Sequence, residues 1–209
     1  MSGGTAAPGA PLTDGRILRA ERTRRLVVES FLDLVQTGEL RPTARQVSDR
    51  SGVSMRSIFR LFEDVDALHA AAIVAHVERV AHLFEAPDPQ GPVGSRADAL
   101  VEQRTRLYET IAPVRRMAIR LAPRSRPIAA ELAHADVILR DHLAPLFAPE
   151  LTAMRPARRD AVVEALDAMT SWETWDRLRT SQRLGVDEAT RVVTMSVLGV
   201  LASSSTRAR

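Results

Sequence analysis

Apolar residues recur at helical spacing along most of the chain, whereas the alternation typical of strands is scarce. The first amphipathic segment covers residues 16–37 and stops at Gly38, a residue type that favours helix C-termini. Eight further helical segments are predicted at 43–50, 54–61, 64–84, 95–112, 113–121, 127–147, 156–182 and 187–203. The pattern therefore predicts an all-α protein of about nine helices.

Proline and glycine punctuate this helical pattern. The stretch APDPQGPVG, residues 86–94, separates the first four segments from the others. Pro145 is expected to kink its helix or end it early. Residues 1–15 have no charged region followed by an apolar run, so they are expected to form a flexible tail and not a signal peptide.

Two of the short segments carry capping signals and are joined by a tight turn. Thr43 and Gln46 have the spacing of a capping box, and Ser54 is placed to cap the next helix. Gly52 stands where the turn requires a positive φ. The apolar residues that can pack this pair against the first helix are Val47, Val53, Ile58 and Phe62. Two short helices joined in this way indicate a helix-turn-helix motif.

The second helix of the pair has one apolar edge and one free edge. Its length is about 12 Å at about 1.5 Å per residue, and the major groove of B-DNA, about 12 Å wide, admits one helix. Arg56 is expected to read a base, to contact a phosphate or to stay solvated. The residues expected to contact DNA are Thr43, Arg45, Ser54, Met55, Arg56, Ser57 and Arg60.

The position of the charge supports this interpretation more than its amount does. All 29 basic residues are arginine and the chain has no asparagine, a composition that indicates codon bias. Residues 16–60 contain ten arginines and five acids, a local balance of +5 against +3 for the whole chain. A basic N-terminal module is typical of attraction to phosphates. The arginines within residues 16–25 either reach the minor groove as an arm or form solvated helix surface.

The segment from about Arg24 to Leu68 resembles the DNA-binding domain of the TetR (tetracycline-repressor-like) family of bacterial regulators. The residues that carry the resemblance are Phe31, Leu34 and Gly38, then TARQVSDRSGVSMRSIFRLF and EDVDAL. The late stretch DAMTSWETWDRLR is more weakly similar to the second-last helix of many members. The resemblance implies a homodimeric transcriptional regulator, most often a repressor, which a small molecule releases from near-palindromic DNA. It also implies a helix-turn-helix domain at 16–63 and a helical regulatory and dimerisation domain at 64–209.

Two positions depart from the family pattern. Phe59 stands where many members have a phosphate-contacting tyrosine, and Val65 stands where a lysine is common. Phe59 is expected to lie in the core. These departures keep a second hypothesis open, in which the protein is a dimeric, helical small-molecule-binding protein with a degenerate, weakly or non-specifically DNA-binding head.

The later helices contain candidate residues for a ligand cavity and for a dimer interface. Trp172 and Trp175 are interpreted either as core or dimer packing or as the wall of a cavity. The full set of candidate ligand-binding residues is Arg104, Tyr108, Met117, Leu121, His134, Leu143, Phe147, Trp172 and Trp175. The last helix is almost entirely apolar and is expected to form a two-fold four-helix bundle with residues 156–182 and a partner chain. The candidate interface residues are Val162, Leu166, Met169, Val192, Met195, Ser196, Gly199 and Ala202.

Several other functional classes lack support in the sequence. The chain has no cysteine and its five histidines form no i,i+4 pair, so neither a metal site nor another cofactor is expected beyond a small-molecule effector. Nucleophile elbows, phosphate-cradling glycine loops and paired-carboxylate motifs are absent, and an enzyme is not expected. The last apolar stretch is too short to span a bilayer, so we expect a soluble cytoplasmic protein.

Overall fold

All the regular secondary structure described in the protein is helical. The computed structural model describes the backbone of residues 12–205 and the side chains of residues 15–203. Its α-helices are α1 (Leu12–Gln36), α2 (Ala44–Ser51), α3 (Met55–Leu61), α4 (Val65–Val80), α5 (Val93–Leu121), α6 (Arg126–Asp141), α7 (Leu143–Leu146), α8 (Ala148–Thr152), α9 (Pro156–Thr170), α10 (Trp172–Asp176) and α11 (Val186–Ser205). The all-α fold is as predicted. Within residues 12–205 no helix has the length and apolar content needed to cross a membrane.

The chain forms two compact units that divide between His76 and Val77, inside α4. The sequence placed this boundary at 63/64, thirteen residues earlier. The difference arises because the first part of α4 buries Leu68 and His69 in the N-terminal unit, where the ring of His69 lies 5.1 Å from that of Phe31.

The core of the N-terminal unit is contributed by all four of its helices. Its buried apolar side chains are Val27, Val28, Phe31, Leu32 and Val35 of α1, Ala44 and Val47 of α2, Ile58 of α3, Phe62, and Leu68, Ala72 and Ile73 of α4. Burial of this kind stabilises helices as short as α2 and α3, which would be marginal in isolation. The unit therefore holds the helix-turn-helix rigidly enough to present one edge of α3.

The C-terminal unit is built around α5, which packs against α6 and α11, and α11 in turn packs against α9. Its core includes Leu100, Leu107 and Tyr108 of α5, Leu166 of α9, Trp172 and Trp175 of α10, and Val193, Val197 and Leu201 of α11. Burial of aromatic and branched side chains of this size stabilises the unit.

The predicted start of the first helix and the predicted break at Pro113 were wrong. α1 begins at Leu12, four residues before the predicted start at Arg16, and residues 1–11 of the predicted tail lie outside the described residues. α5 continues through Pro113, where the sequence indicated a break. A proline costs one backbone hydrogen bond, and burial of Ile111 and Val114 on either side offsets that loss.

The predicted helix 156–182 is divided at Ser171. Ser171 has extended backbone angles, φ −70° and ψ 160°, and its hydroxyl accepts a hydrogen bond from the amide of Thr174 at 3.2 Å. α9 therefore ends at Thr170 and a capped α10 begins at Trp172, followed by a π-helical turn over Arg177–Ser181. The expectation that Pro145 shortens its helix is confirmed, because α6 ends at Asp141.

Candidate nucleic-acid interface and ligand cavity

The start of α2 is fixed by the predicted capping box. The amide of Gln46 donates to Thr43 Oγ1 at 3.2 Å, and the amide of Thr43 donates to Gln46 Oε1 at 2.8 Å. Gln46 Nε2 also donates to Glu39 Oε2 at 3.0 Å. Hydrogen bonds from the Arg41 amide and from Gln46 lower the pKa of Glu39. These bonds satisfy orphan donors at the helix N-terminus and tie α2 to the preceding loop.

The turn and the start of α3 also follow the sequence prediction. Gly52 has φ 70°, a conformation that side chains other than glycine rarely adopt. Ser54 caps α3 by accepting from the amide of Ser57 at 3.3 Å, and Asp64 caps α4 by accepting from the amide of Ala67 at 2.7 Å. Local hydrogen bonds thus fix the starts of α3 and of α4.

The free edge of α3 presents two cations and two apolar side chains. Met55, Arg56, Phe59 and Arg60 are exposed, while Ile58 faces the core with 1% of its surface accessible. Neither Arg56 nor Arg60 forms an ion pair with any carboxylate among the described side chains. Both charges are therefore available for a partner outside the subunit.

The prediction that Phe59 lies in the core was wrong. Its side chain is 45% exposed, and Met55 on the same edge is 43% exposed. Ile58 already supplies the apolar edge by which this seven-residue helix packs on the core. Successive residues of an α-helix are rotated by about 100° around its axis, so Phe59 points away from that edge. The edge that carries the arginines consequently carries an aromatic ring as well.

Two of the predicted contact residues at the start of α2 are already engaged. The hydroxyl of Thr43 belongs to the capping box, and Arg45 Nε lies 4.0 Å from Asp49 Oδ2 with both side chains exposed. An exposed pair of this kind contributes roughly 0–1 kcal/mol, so Arg45 can exchange Asp49 for another anion at little cost.

Sequence reasoning missed the role of Arg24. Its Nη1 donates to the carbonyl oxygen of Leu61 at 2.9 Å, and its guanidinium carbon lies 4.3 Å from the ring centre of Phe62. Arg24 therefore belongs to the scaffold that holds the C-terminal end of α3. No local pattern indicates such a contact between residues 37 positions apart.

The C-terminal unit contains a cavity of about 130 Å³ beside the break between α9 and α10. Three of the predicted ligand-binding residues, Arg104, Tyr108 and Trp172, line it. The lining residues that the sequence did not indicate are Asp136, Leu139, Asp167, Thr170, Ser171 and Glu173. Four consecutive lining residues, 170–173, form the break itself, and the serine N-cap was the one sequence signal that could have located it.

The remaining predicted ligand-binding residues do not line this cavity. Met117, Leu121, Leu143 and Phe147 are buried in apolar packing, and His134 is exposed on α6. Trp175 is buried and donates from Nε1 to Glu109 Oε1 at 2.9 Å. Apolar residues at helical spacing mark the core as readily as a cavity, which is why the sequence could not separate the two.

Most of the polar groups in the cavity wall are hydrogen-bonded. Tyr108 Oη donates to the carbonyl oxygen of Thr170 at 2.8 Å, and burial raises the pKa of Tyr108. Asp136 accepts from Arg115 Nη2 at 2.6 Å. Burial raises the pKa of Asp167, which lies 3.4 Å from Arg140 Nη1.

No protein-family model matches the chain, and no curated protein matches it. Solved structures do. A TetR-family transcriptional regulator from Streptomyces coelicolor matches with a TM-score of 0.69 and 18% identity, over 89% of this chain and 83% of its own. A TetR transcription regulator from Haloarcula marismortui matches with a TM-score of 0.63 and 15% identity, over 88% of this chain and 98% of its own. A transcriptional regulator from Rhodococcus sp. Rha1 matches with a TM-score of 0.65 and 16% identity, over 88% of this chain and 96% of its own.

The chain has the TetR fold. At these identities the likeness concerns the fold, and it confirms the fold expected from the resemblance.

Within this TetR fold, the predicted dimer residues divide into two groups. Val192, Met195, Gly199 and Ala202 are exposed along one side of α11, and we call these four residues the α11 stripe. Ser196 and Met169 are half-buried, whereas Val162 and Leu166 lie in the core of the subunit and do not face outward. The exposed residues in the second half of α9 are instead Ala161, Glu164 and Ala168. The burial of Val162 and Leu166 contradicts their assignment to an outward face of α9, and the dimer interface itself stays a prediction.

Gly199 is not explained by packing within the subunit. A Cβ atom placed on it meets nothing within 4 Å, and its φ is not in the left-handed region. Glycine in a helix interior costs about 1 kcal/mol relative to alanine. Gly199 therefore leaves open space on the surface of α11 at a position where alanine would be the more stable residue.

Proposed function

We propose that the protein is a DNA-binding transcriptional regulator that recognises a near-palindromic site as a homodimer and is released from it by a small ligand. The observation that carries the proposal is the free edge of α3, a helix capped at Ser54. On this edge Arg56 and Arg60 are exposed and form no ion pair with a carboxylate among the described side chains. An α3 of about 10 Å, seven residues at about 1.5 Å each, fits the major groove.

The chemistry of this edge suits DNA. Arginine is the side chain that most often reads guanine, through two parallel hydrogen bonds, and it also binds phosphate. Phe59 and Met55 can contact thymine methyl groups and sugars, which offer apolar surface in the groove. The excess of arginine within residues 16–60 supplies the attraction to the phosphate backbone.

The α11 stripe supports the dimer. Val192 and Met195 are large apolar side chains left in contact with water by the subunit, and Gly199 permits close approach. A two-fold axis through this stripe would pack α9 and α11 of one subunit against the same helices of a second, as a four-helix bundle. In such a dimer the recognition helices contact half-sites separated by about one DNA turn, roughly 34–36 Å, or a related spacing.

Selection from random double-stranded oligonucleotides by the full-length protein tests the DNA proposal. We expect enrichment of an inverted repeat that the protein then binds at least about 10³-fold more tightly than a shuffled sequence. Binding that depends on salt but enriches no sequence would instead favour the dimeric small-molecule-binding protein with a degenerate head. The α3 variants described in the Discussion localise the contact.

A further inference from the structure

Three arginines are buried in the C-terminal unit, and they differ in how their charge is balanced. Arg96 forms two hydrogen bonds with the Glu150 carboxylate, at 2.5 and 2.9 Å, and Arg115 forms one with Asp136 at 2.6 Å. Arg104, with 2% of its surface accessible, forms no ion pair with any described carboxylate. Arg104 therefore differs from the other two buried arginines in having no carboxylate partner among the described residues.

The partners of Arg104 are neutral. Nη1 donates to Gln103 Oε1, Nη2 donates to the carbonyl oxygen of Leu139 at 2.6 Å, and Nε is buried without a hydrogen-bond partner. Burial lowers the pKa of Arg104, which reflects the cost of keeping its charge away from water. The penalty for burying an ion is several kcal/mol unless an opposite charge compensates it.

Arg104 lines the 130 Å³ cavity, so a compensating anion has a place to bind. That volume is close to the roughly 150 Å³ of an apolar cavity that accepts benzene, and well below the roughly 300–1,000 Å³ of sites for drug-sized ligands. Tyr108, Leu139 and Trp172 supply aromatic and apolar wall. The cavity therefore suits a small ligand with an apolar body.

The acids in the wall do not favour a cationic ligand. Asp136 is already paired with Arg115, and Asp167 lies beside Arg140 with a pKa raised by burial, which reduces its tendency to carry a charge. Glu173 is exposed at the start of α10. Arg104 is the buried charge of the wall that forms no ion pair with a described carboxylate, and the Asp167 carboxylate acts on it from beyond ion-pair distance.

A second cavity, of about 320 Å³, lies beside the turn at 81–88, but its wall offers no such group. Gln103 donates its amide to the carbonyl oxygen of Leu83, and Arg106 lies 3.9 Å from Glu102 in an exposed pair. Nothing in that wall favours one ligand over another.

We propose that the cavity binds a small carboxylate, up to about the size of benzoate, whose anionic group pairs with Arg104 while its apolar body lies against Trp172. The role of this ligand as the effector rests on the proposed regulatory function. The binding itself does not, and it is measured without DNA.

The test compares ligands of matched shape and different charge on the full-length protein. Acetate, butyrate and benzoate are titrated against acetamide, butyramide and benzamide, with benzylamine as the cation, by isothermal calorimetry and by the fluorescence of Trp172 and Trp175. We expect at least one carboxylate to bind about tenfold or more tightly than its amide, because hydrogen bonds between charged groups contribute about 1.5–3 kcal/mol. The proposal is overturned if no carboxylate exceeds its amide or if benzylamine binds more tightly than benzoate.

Arg104→Gln removes the charge, and Arg106→Gln is its control on the same helix, since Arg106 is exposed. We expect Arg104→Gln to weaken carboxylate binding about 10- to 100-fold and Arg106→Gln to leave it unchanged. A folded Arg104→Gln protein that binds the carboxylate as tightly as the unmodified protein contradicts the proposal. If the variant does not fold, the comparison of carboxylates with amides on the unmodified protein still tests the proposal.

DNA binding separates this inference from the proposed function. Carboxylate binding by a protein that selects no operator supports the cavity and refutes the regulator. Operator binding without any preference for carboxylates supports the regulator and refutes the cavity assignment.

Discussion

Arg24 of α1 holds the end of α3 through Leu61, to whose carbonyl oxygen its Nη1 donates at 2.9 Å. The last carbonyls of a helix have no intrahelical partner, so a cationic donor there both satisfies an orphan acceptor and opposes the negative end of the helix dipole. The ring of Phe62 lies under the same guanidinium at 4.3 Å. One side chain thus connects the long first helix to the helix that carries the proposed DNA contacts.

Replacing Arg24 with alanine should destabilise the N-terminal unit. We expect a loss of about 1–2 kcal/mol in the free energy of unfolding, because a charge-assisted hydrogen bond and a cation–π contact are both removed. Urea denaturation followed by circular dichroism measures the change. Arg25→Ala, at an exposed neighbouring position, is the control and should change stability by less than about 0.5 kcal/mol.

Phe59 and Ile58 are adjacent in α3, but their replacement by alanine should affect stability very differently. Phe59→Ala should leave the thermal unfolding midpoint nearly unchanged, because 45% of the side chain is already exposed. It should nevertheless weaken operator binding several-fold. Ile58→Ala should cost about 2–5 kcal/mol in stability, since Ile58 is 1% exposed and fills the core. Equal loss of stability in the two variants would show that Phe59 packs inward after all.

Arg56→Ala and Arg60→Ala should each weaken binding to the selected operator. A lost base contact costs about 1–3 kcal/mol and relaxes selection at one base pair, whereas a lost phosphate contact lowers affinity for all sequences alike and reduces the salt slope by about one. Fluorescence anisotropy at several salt concentrations distinguishes the two. Arg120→Ala, an exposed arginine of the C-terminal unit, is the control. Unchanged affinity in both α3 variants would refute the assignment of α3.

The Arg96–Glu150 pair should make stability fall in acid. The hydrogen bond from Arg96 lowers the pKa of Glu150 from its usual 4.5, so the folded state holds this proton less tightly than the unfolded state. The resulting stabilisation is complete above the unfolded pKa and is lost as the pH falls through the lower, folded value. Glu150→Gln should therefore lose about 2–4 kcal/mol near neutrality and show a shallower decline below about pH 5.

Urea denaturation at successive pH values measures this effect. Glu102→Gln is the control, because Glu102 and Arg106 form an exposed pair 3.9 Å apart that is worth about 1 kcal/mol or less. A Glu150→Gln profile parallel to that of the unmodified protein would contradict the linkage.

A charge in the α11 stripe should dissociate the dimer. Met195 is 73% exposed in the subunit, so Met195→Glu should leave the fold intact and weaken self-association tenfold or more. Sedimentation equilibrium at micromolar concentration should show twice 22.9 kDa for the unmodified protein and a shift towards 22.9 kDa for the variant. Val137→Glu, an exposed apolar site on α6, should not shift the mass. An unmodified protein that sediments as a monomer refutes the dimer.

Features specified by neighbouring residues could be predicted from the sequence. The Thr43–Gln46 capping box, the positive φ of Gly52 and the Ser54 cap all depend on residues within one helical turn, and the structure has them as expected. Phe59 could not be placed in the same way, because periodicity on a seven-residue helix does not decide how wide the apolar edge is.

Features that depend on distant residues could not be predicted. The helix continues through Pro113 because burial on both sides outweighs the missing hydrogen bond, and that burial is supplied by other helices. The cavity likewise assembles from α5, α6, α9 and α10, so its acids at 136 and 167 show no local signal. The sequence identified Arg104, Tyr108 and Trp172 because large polar and aromatic residues are conspicuous even without knowledge of the packing.

The break at Ser171 has a mechanical consequence. Residues 170–173 form part of the cavity wall and also the joint between α9 and α10, so the carboxylate proposed above would lie directly against that joint. α9 leads away from the joint, packs against α11 and carries Ala161 and Ala168 on its outer surface. α9, 15 residues from Pro156 to Thr170, has one end at the cavity, so a change of angle at Ser171 would displace the far end of the helix more than the near end.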